Sequence, residues 1–251
     1  MKLKLLPHLL LKELSEKVLQ SDLQKHYEYF INNYGEGWKA SDKGFCKEET
    51  EKINPIYRNV IRDLNGLIGI DLPTLFESNS ASGKLMILAQ DPLRSAKDFK
   101  HEGKVIIGTP YALHSKLYRE GSSKLYFNLL NELNDLYKEF YLTDVVKVYA
   151  EASNIIGLLS KKNSKNIRDA AYNMLAFEIN TIMPNTILAM GKVAHNALND
   201  SSIKLLLEEN KIRRIDTPHI RARHDVWLKA GAEGSKDGDK IRYLYKKIKK
   251  A

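Results

Sequence analysis

Apolar side chains in the first third of the chain recur at helical spacing. Leu10, Leu14, Val18 and Leu19 share one stripe, and Tyr57, Val60, Ile61, Leu64 and Leu67 share another, which predicts helices over residues 8 to about 75. Near residue 85 the period changes. Leu85, Met86, Ile87, Leu88 and Ala89 form an unbroken apolar run that stops at Asp91 and Pro92, the pattern of a parallel strand buried on both faces. A polar segment then leads to Val105, Ile106 and Ile107, and residues 125–137 return to a helical apolar face. Runs over 140–148, 185–190 and 211–216 predict three further buried strands. Helices are predicted over 166–183 and 192–199, and a basic one over 236–250 with Ile241, Leu244, Tyr245 and Ile248 facing inward. This alternation predicts an α/β protein, a three-layer α/β/α sandwich on a mainly parallel four-stranded sheet. Residues 1–80 read as a helical N-terminal extension or cap, and residues 81–251 as the α/β domain, the two forming one continuous globular unit.

Ligands of open parallel sheets bind beyond the carboxyl ends of the strands. Three strand ends therefore offer Asp91, Asp144 and His219 at one edge, with Tyr111 in the connection between the first two. Taken singly each has an ordinary alternative: a turn or cap for the acids, packing for Tyr111, a hydrogen-bonded loop position for His219. Ser82, Gly83 and Lys84 precede the first strand instead of following it, which rules out a phosphate-binding loop there.

Charge narrows the partner. Forty Lys and Arg against 31 Asp and Glu leave a formal charge of +9 over 251 residues, which suits a polyanion such as nucleic acid. Cys46 is the single cysteine, so intrachain disulfides, cysteine-zinc sites and cysteine-held iron–sulfur clusters are not expected. His219 and His224 have no matching carboxylate or cysteine cluster, so neither a metal nor another cofactor is expected. No apolar run approaches the roughly 20 residues a membrane helix needs, and Pro7 interrupts the start before a signal-peptide core forms. The expected location is the cytoplasm, with no membrane partner.

In order along the chain, these segments resemble the uracil-DNA glycosylase superfamily. The family's Gly-Gln-Asp-Pro-Tyr-His motif is similar to Ala89-Gln90-Asp91-Pro92-Leu93-Arg94, and its Gly-x-Pro-Phe to Gly108-Thr109-Pro110-Tyr111. The strand ending in the base-reading Asn resembles Tyr141-Leu142-Thr143-Asp144, followed by Val145-Val146-Lys147. The Ile-Leu-Leu-Gly strand resembles residues 187–191, with Ala194 beyond, and His-Pro-Ser-Pro-Leu-Ser resembles His219-Ile220-Arg221-Ala222-Arg223-His224. The likeness runs from about residue 84 to 228; residues 1–80 resemble nothing in the family.

The resemblance implies a monofunctional DNA glycosylase, which swings a base out of DNA and hydrolyses its N-glycosidic bond to leave an abasic site. Asp91 and His219 would be catalytic. The carboxylate would stabilise the sugar oxocarbenium and orient water, and the histidine would donate to the departing base. Gln90, Leu93, Tyr111 and Asp144 would contact the base, with Tyr111 stacked on it. Arg221 and Arg223 fall in the loop that enters the minor groove, Arg223 where the wedge Leu normally stands; Arg94, Lys147, Lys192 and His224 complete the expected DNA contacts.

Two departures from the family pattern bear on the base. Asp144 stands where uracil is read by Asn, and an ionised carboxylate only accepts hydrogen bonds, so it suits the amino group of cytosine better than O4 of uracil. Leu93 replaces the Tyr that blocks substituents at C5. Together they imply a C5-modified cytosine, hydroxymethylated or glucosylated, as in modified phage DNA, and hence a role in phage defence. Cytosine leaves less readily than uracil and needs protonation; a protonated Asp144 would instead keep uracil as substrate in base-excision repair. Two other readings stand beside these. One is a non-catalytic DNA-binding protein on the same fold. The other is a nucleotide- or phosphate-binding enzyme using Gly191 and Lys192 at a helix start.

Overall fold

The computed structural model describes residues 1–35, 44–62, 68–79, 82–90, 104–150, 165–234 and 236–250. Its centre is a six-stranded sheet containing the four predicted parallel strands. They are β5 (Lys84–Ala89), β7 (Glu139–Asp144), β9 (Thr186–Met190) and β10 (Arg213–Thr217), adjacent in the order β7-β5-β9-β10. Strands β5, β7 and β9 are buried over most of their length, which explains their apolar runs, whereas β10, at the sheet edge, buries only Ile215 and Thr217. Their carboxyl ends are level: Ala89 pairs with Asp144, Leu88 with Ala189, and Met190 with Thr217. From β5 the chain crosses to β7 on one side and then returns past β5 to β9, so the crossovers diverge between β5 and β9. That divergence opens a crevice where open α/β sheets bind ligands.

Helices pack in two groups. Helix α1 (His8–Lys17) and α3 (Pro55–Arg62) contact α6 (Lys165–Ile182), which also meets α8 (Ser201–Glu209). Helix α4 (Lys116–Glu120) and α10 (Asp237–Lys250) contact α5 (Lys124–Glu132). Right-handed crossovers put the two groups on opposite faces of the sheet. Helix α2 (Leu23–Asn33) lies beside α1 and buries Leu23, Tyr27 and Phe30. Helix α7 (Lys192–Ala197) follows β9 directly, and the short α9 (His224–Lys229) lies between β10 and α10 in the chain.

The N-terminal region is not wholly helical, contrary to the sequence expectation. Strands β1 (Lys2–Lys4) and β4 (Thr74–Glu77) extend the central sheet, β4 antiparallel to β7 and β1 antiparallel to β4. Strands β2 (Cys46–Glu49), β3 (Ile68–Asp71), β6 (Lys104–Gly108) and β8 (Val148–Ala150) form a second sheet, ordered β2-β6-β3-β8. These strands are three to five residues long, too short for a period to show. Leu64 and Leu67 lie outside the described residues. The Asp71 N–H donates to the Lys147 carbonyl at 2.9 Å, joining the second sheet to the end of β7.

Candidate active site

The site is built where the parallel strands end. Asp91, Leu93 and Arg94 lie outside the described residues; Gln90, the last described residue after β5, is partly exposed, and its carbonyl accepts from the Val146 N–H at 3.4 Å. Asp144 closes β7 directly across from Ala89 and is 1% exposed. Behind it lies a buried ionic network. Lys147 Nζ donates to the Asp144 carbonyl at 2.6 Å and to Glu178 Oε2 at 2.8 Å, and Glu178 Oε1 accepts from the Tyr141 and Thr143 hydroxyls, each at 2.9 Å. Lys147, expected among the DNA contacts, is 1% exposed and spends its charge on Glu178 inside the protein. The structure thus corrects that assignment: an ammonium enclosed in this way cannot reach a phosphate.

Tyr111 sits in a single turn after β6, with φ 58° there and φ 51° at Ala112. Two successive non-glycine residues at positive φ cost about 1–3 kcal/mol each, and such strain persists only where neighbours impose it. The neighbours are identifiable. Ser123 Oγ donates to the Tyr111 carbonyl, and the Tyr126 ring stacks on the Tyr111 ring at 3.5 Å and 14°. Tyr126, from the first turn of α5, is 5% exposed and also meets His219 edge-on at 6.3 Å between ring centroids. Burial pushes its phenol well up, against the opposing pull of Arg221. Sequence reasoning missed Tyr126 because a tyrosine on the apolar stripe of a helix reads as core; the adjoining Ser122, Ser123 and Lys124 are local signs of a polar surface.

His219 follows β10 and is held against the end of β9. Gly191, at φ 90° and ψ 169°, lets the two segments close: a Cβ there would stand 3.3 Å from that of His219. His195 Nε2 bridges the strand ends, 3.1 Å from the Ala189 carbonyl and 2.9 Å from that of Thr217. The Arg221 main-chain N–H donates to His219 Nδ1 at 3.3 Å, which leaves the proton of a neutral ring on Nε2. Burial lowers the His219 pKa, and the Arg221 and Lys240 cations lower it further. The ring is therefore a neutral Nε2–H donor near neutral pH, suited to meeting a developing oxyanion.

The flanking surface is basic. A groove of about 800 Å³ beside the His219 loop is lined by Lys124, Asn128, Arg221 and Lys240, with Asp237 among them. Lys192, Arg221, Arg223 and His224 are exposed, and Arg223 reaches Asp225 at 3.2 Å. Among the described residues no group of three His, Cys, Asp or Glu side chains is arranged to hold a metal. Nor is any described helix long and apolar enough to cross a membrane.

A sheet switch point carrying a buried acid, a stacked aromatic pair and a neutral histidine donor defines the kind of crevice in which a planar heterocycle can be held and protonated. The family comparison agrees: the model described as Uracil DNA glycosylase superfamily matches residues 76–243. The chain belongs to that superfamily, which gives it a DNA glycosylase-like function in general and DNA as its partner. No curated protein matches it.

Proposed function

We propose that the chain is a monofunctional DNA glycosylase that excises a C5-modified cytosine, hydroxymethylated or glucosylated, and that it serves in defence against phage with such DNA. What supports this reading is the buried Asp144 at the end of β7, at the strand edge that also carries Gln90 and His219. The flipped base stacks on Tyr111. Asp144 accepts from the exocyclic amino group, a pairing worth about 1–3 kcal/mol against a base that presents a carbonyl there. His219 Nε2–H donates to the base oxygen as the glycosidic bond breaks, and the electron pair of that bond leaves with the base. Asp91 stabilises the sugar cation and orients the attacking water. Lys192, Arg223 and His224 meet the sugar-phosphate backbone.

A second reading, uracil excision in repair, rests on the same burial: a protonated Asp144 would donate to O4. One experiment separates the two. Oligonucleotides carrying uracil, 5-hydroxymethylcytosine or its glucosylated form are incubated with the protein and with Asp91→Ala, and alkali-labile sites are scored. Cleavage confined to the modified cytosines in the wild type supports the proposal. Uracil cleavage alone would replace the substrate, and DNA binding without cleavage would favour a non-catalytic binder.

A further inference from the structure

Arg221 stands in the loop that the family resemblance brings to DNA, yet its contacts run the other way. We infer that Arg221 is a positioning residue, which with Tyr126 latches the His219 loop to the turn carrying the base-stacking ring, and that it is not a phosphate contact. This rests on the glycosylase reading of the site.

The latch can be traced bond by bond. The Arg221 guanidinium donates to the Ser122 carbonyl and lies 5.6 Å from the centroid of the Tyr126 ring. The residue after Ser122 holds the Tyr111 carbonyl, and Tyr126 stacks on the Tyr111 ring. In the other direction, the Arg221 main-chain N–H reaches His219 Nδ1. One residue, by its main-chain N–H and its side chain, thus joins the histidine donor to the aromatic platform through residues 122 to 126. A planar guanidinium can bond a carbonyl and lie over a ring at once, which an ammonium cannot do with the same geometry.

A second cation fastens the opposite side of the loop. Lys240 from α10 is 8% exposed, donates to the Ile220 carbonyl at 3.1 Å and lies 5.9 Å from the Trp227 ring. The loop is therefore tied to α5 by Arg221 and to α10 by Lys240. Such ties hold the donor in place before substrate arrives, the condition under which a hydrogen bond to developing charge is most effective. Arg223, with its side chain 85% exposed, has no comparable inward tie and is the loop arginine directed to DNA.

The test uses the full chain and compares Arg221→Met with Arg223→Met. Single-turnover cleavage gives the rate constant, and fluorescence anisotropy between low and moderate salt gives Kd and its salt slope. Arg221→Met is expected to lower the rate about 10- to 100-fold, as misplacement of a catalytic group does, with the salt slope unchanged. Arg223→Met is expected to reduce the slope by about 0.9, the loss of one phosphate contact. Tyr126→Leu should reproduce the Arg221→Met defect, the double variant should be no worse than either, and Tyr126→Phe should recover most of the loss. A slope reduced by about one in Arg221→Met, with its rate intact, overturns the proposal. Should Arg221→Met not fold, Arg221→Gln takes its place.

If the wild type cleaves none of the oligonucleotides, the glycosylase reading fails and the latch is read without activity. The His219 imidazole, faced by Arg221, Lys240 and Tyr126, is titrated by ¹⁵N NMR. Its pKa should rise when Arg221 is removed; an unchanged titration overturns the placement of the Arg221 cation beside His219.

Discussion

Replacing Lys147 by Met tests the central electrostatic feature of the site. The ammonium and the Glu178 carboxylate are 1% and 0% exposed and 2.8 Å apart, so removing one partner strands the other in the interior. Breaking a buried pair in this way costs about 3–5 kcal/mol. Glu178 keeps its bonds from Tyr141 and Thr143, which places the expected loss at the lower end of that range. For a chain of this size each kcal/mol moves the melting point by about 2–4 °C, so a drop of about 6–12 °C is expected. Calorimetry on Lys147→Met, Glu178→Gln and the double variant supplies the measurement. The double variant should regain at least half of the Lys147→Met loss, because the Gln oxygen still accepts from both hydroxyls while neither position carries an unpaired charge. The salt slope of DNA binding should not change in Lys147→Met. A melting point within 2 °C of wild type, or a slope reduced by about one, would refute the reasoning and return Lys147 to the DNA surface.

Asp144→Asn places a donor-acceptor amide where the carboxyl group stands, and the ratio of uracil to modified-cytosine cleavage should rise by about 5- to 150-fold, the equivalent of 1–3 kcal/mol; an unchanged ratio would remove Asp144 from base reading. Gly191→Ala forces a side chain into a backbone region that glycine alone occupies readily and against His219, so a loss of about 1–3 kcal/mol by urea denaturation is expected, with slower cleavage. The lowered pKa of His219 also carries a stability signature. The unfolded chain takes up a proton near the ordinary value of 6.5 and the folded one only at lower pH, so the stability His219 contributes is complete above that value and is lost as pH falls from it to the folded pKa. His26, lowered by burial, acts in the same direction. The rise in stability between pH 5 and 7.5 should therefore shrink, without vanishing, in His219→Gln; the same rise in both proteins would mean that His219 is not buried as described.

The central parallel strands were legible because burial on both faces leaves nothing but apolar residues from Leu85 to Ala89 and from Ile187 to Met190, and their ends were legible because charged or glycine residues follow each run. Asp144 and His219 could be placed at one edge from that pattern alone. The short strands could not. Cys46–Glu49 has no apolar alternation, since it forms an edge of the second sheet, and Thr74–Glu77 is four residues following a helical stripe. Lys147 was misplaced because a lysine is almost always a surface residue and its partner, Glu178, is 31 positions away in the C-terminal half of a helix. Tyr126 was invisible for the complementary reason: its neighbours in space, Tyr111 and His219, come from distant loops.

These two failures meet at the same place, and that bears on how specificity is set. Lys147 donates to the carbonyl of Asp144, while Tyr126 stacks on the ring that the proposed base would share. The two groups proposed to touch the base, Asp144 and Tyr111, are thus each held by a buried partner. A closed network behind Asp144 fixes its main-chain carbonyl, whereas a half-satisfied one would leave an unpaired ammonium to draw the Asp144 carboxyl group toward itself. Glu178 is therefore expected to influence selectivity as well as stability. Glu178→Gln leaves the Lys147 charge uncompensated beside Asp144, and modified-cytosine cleavage should fall more than DNA binding does. Equal losses in both would mean that the network supports the fold and has no part in reading the base.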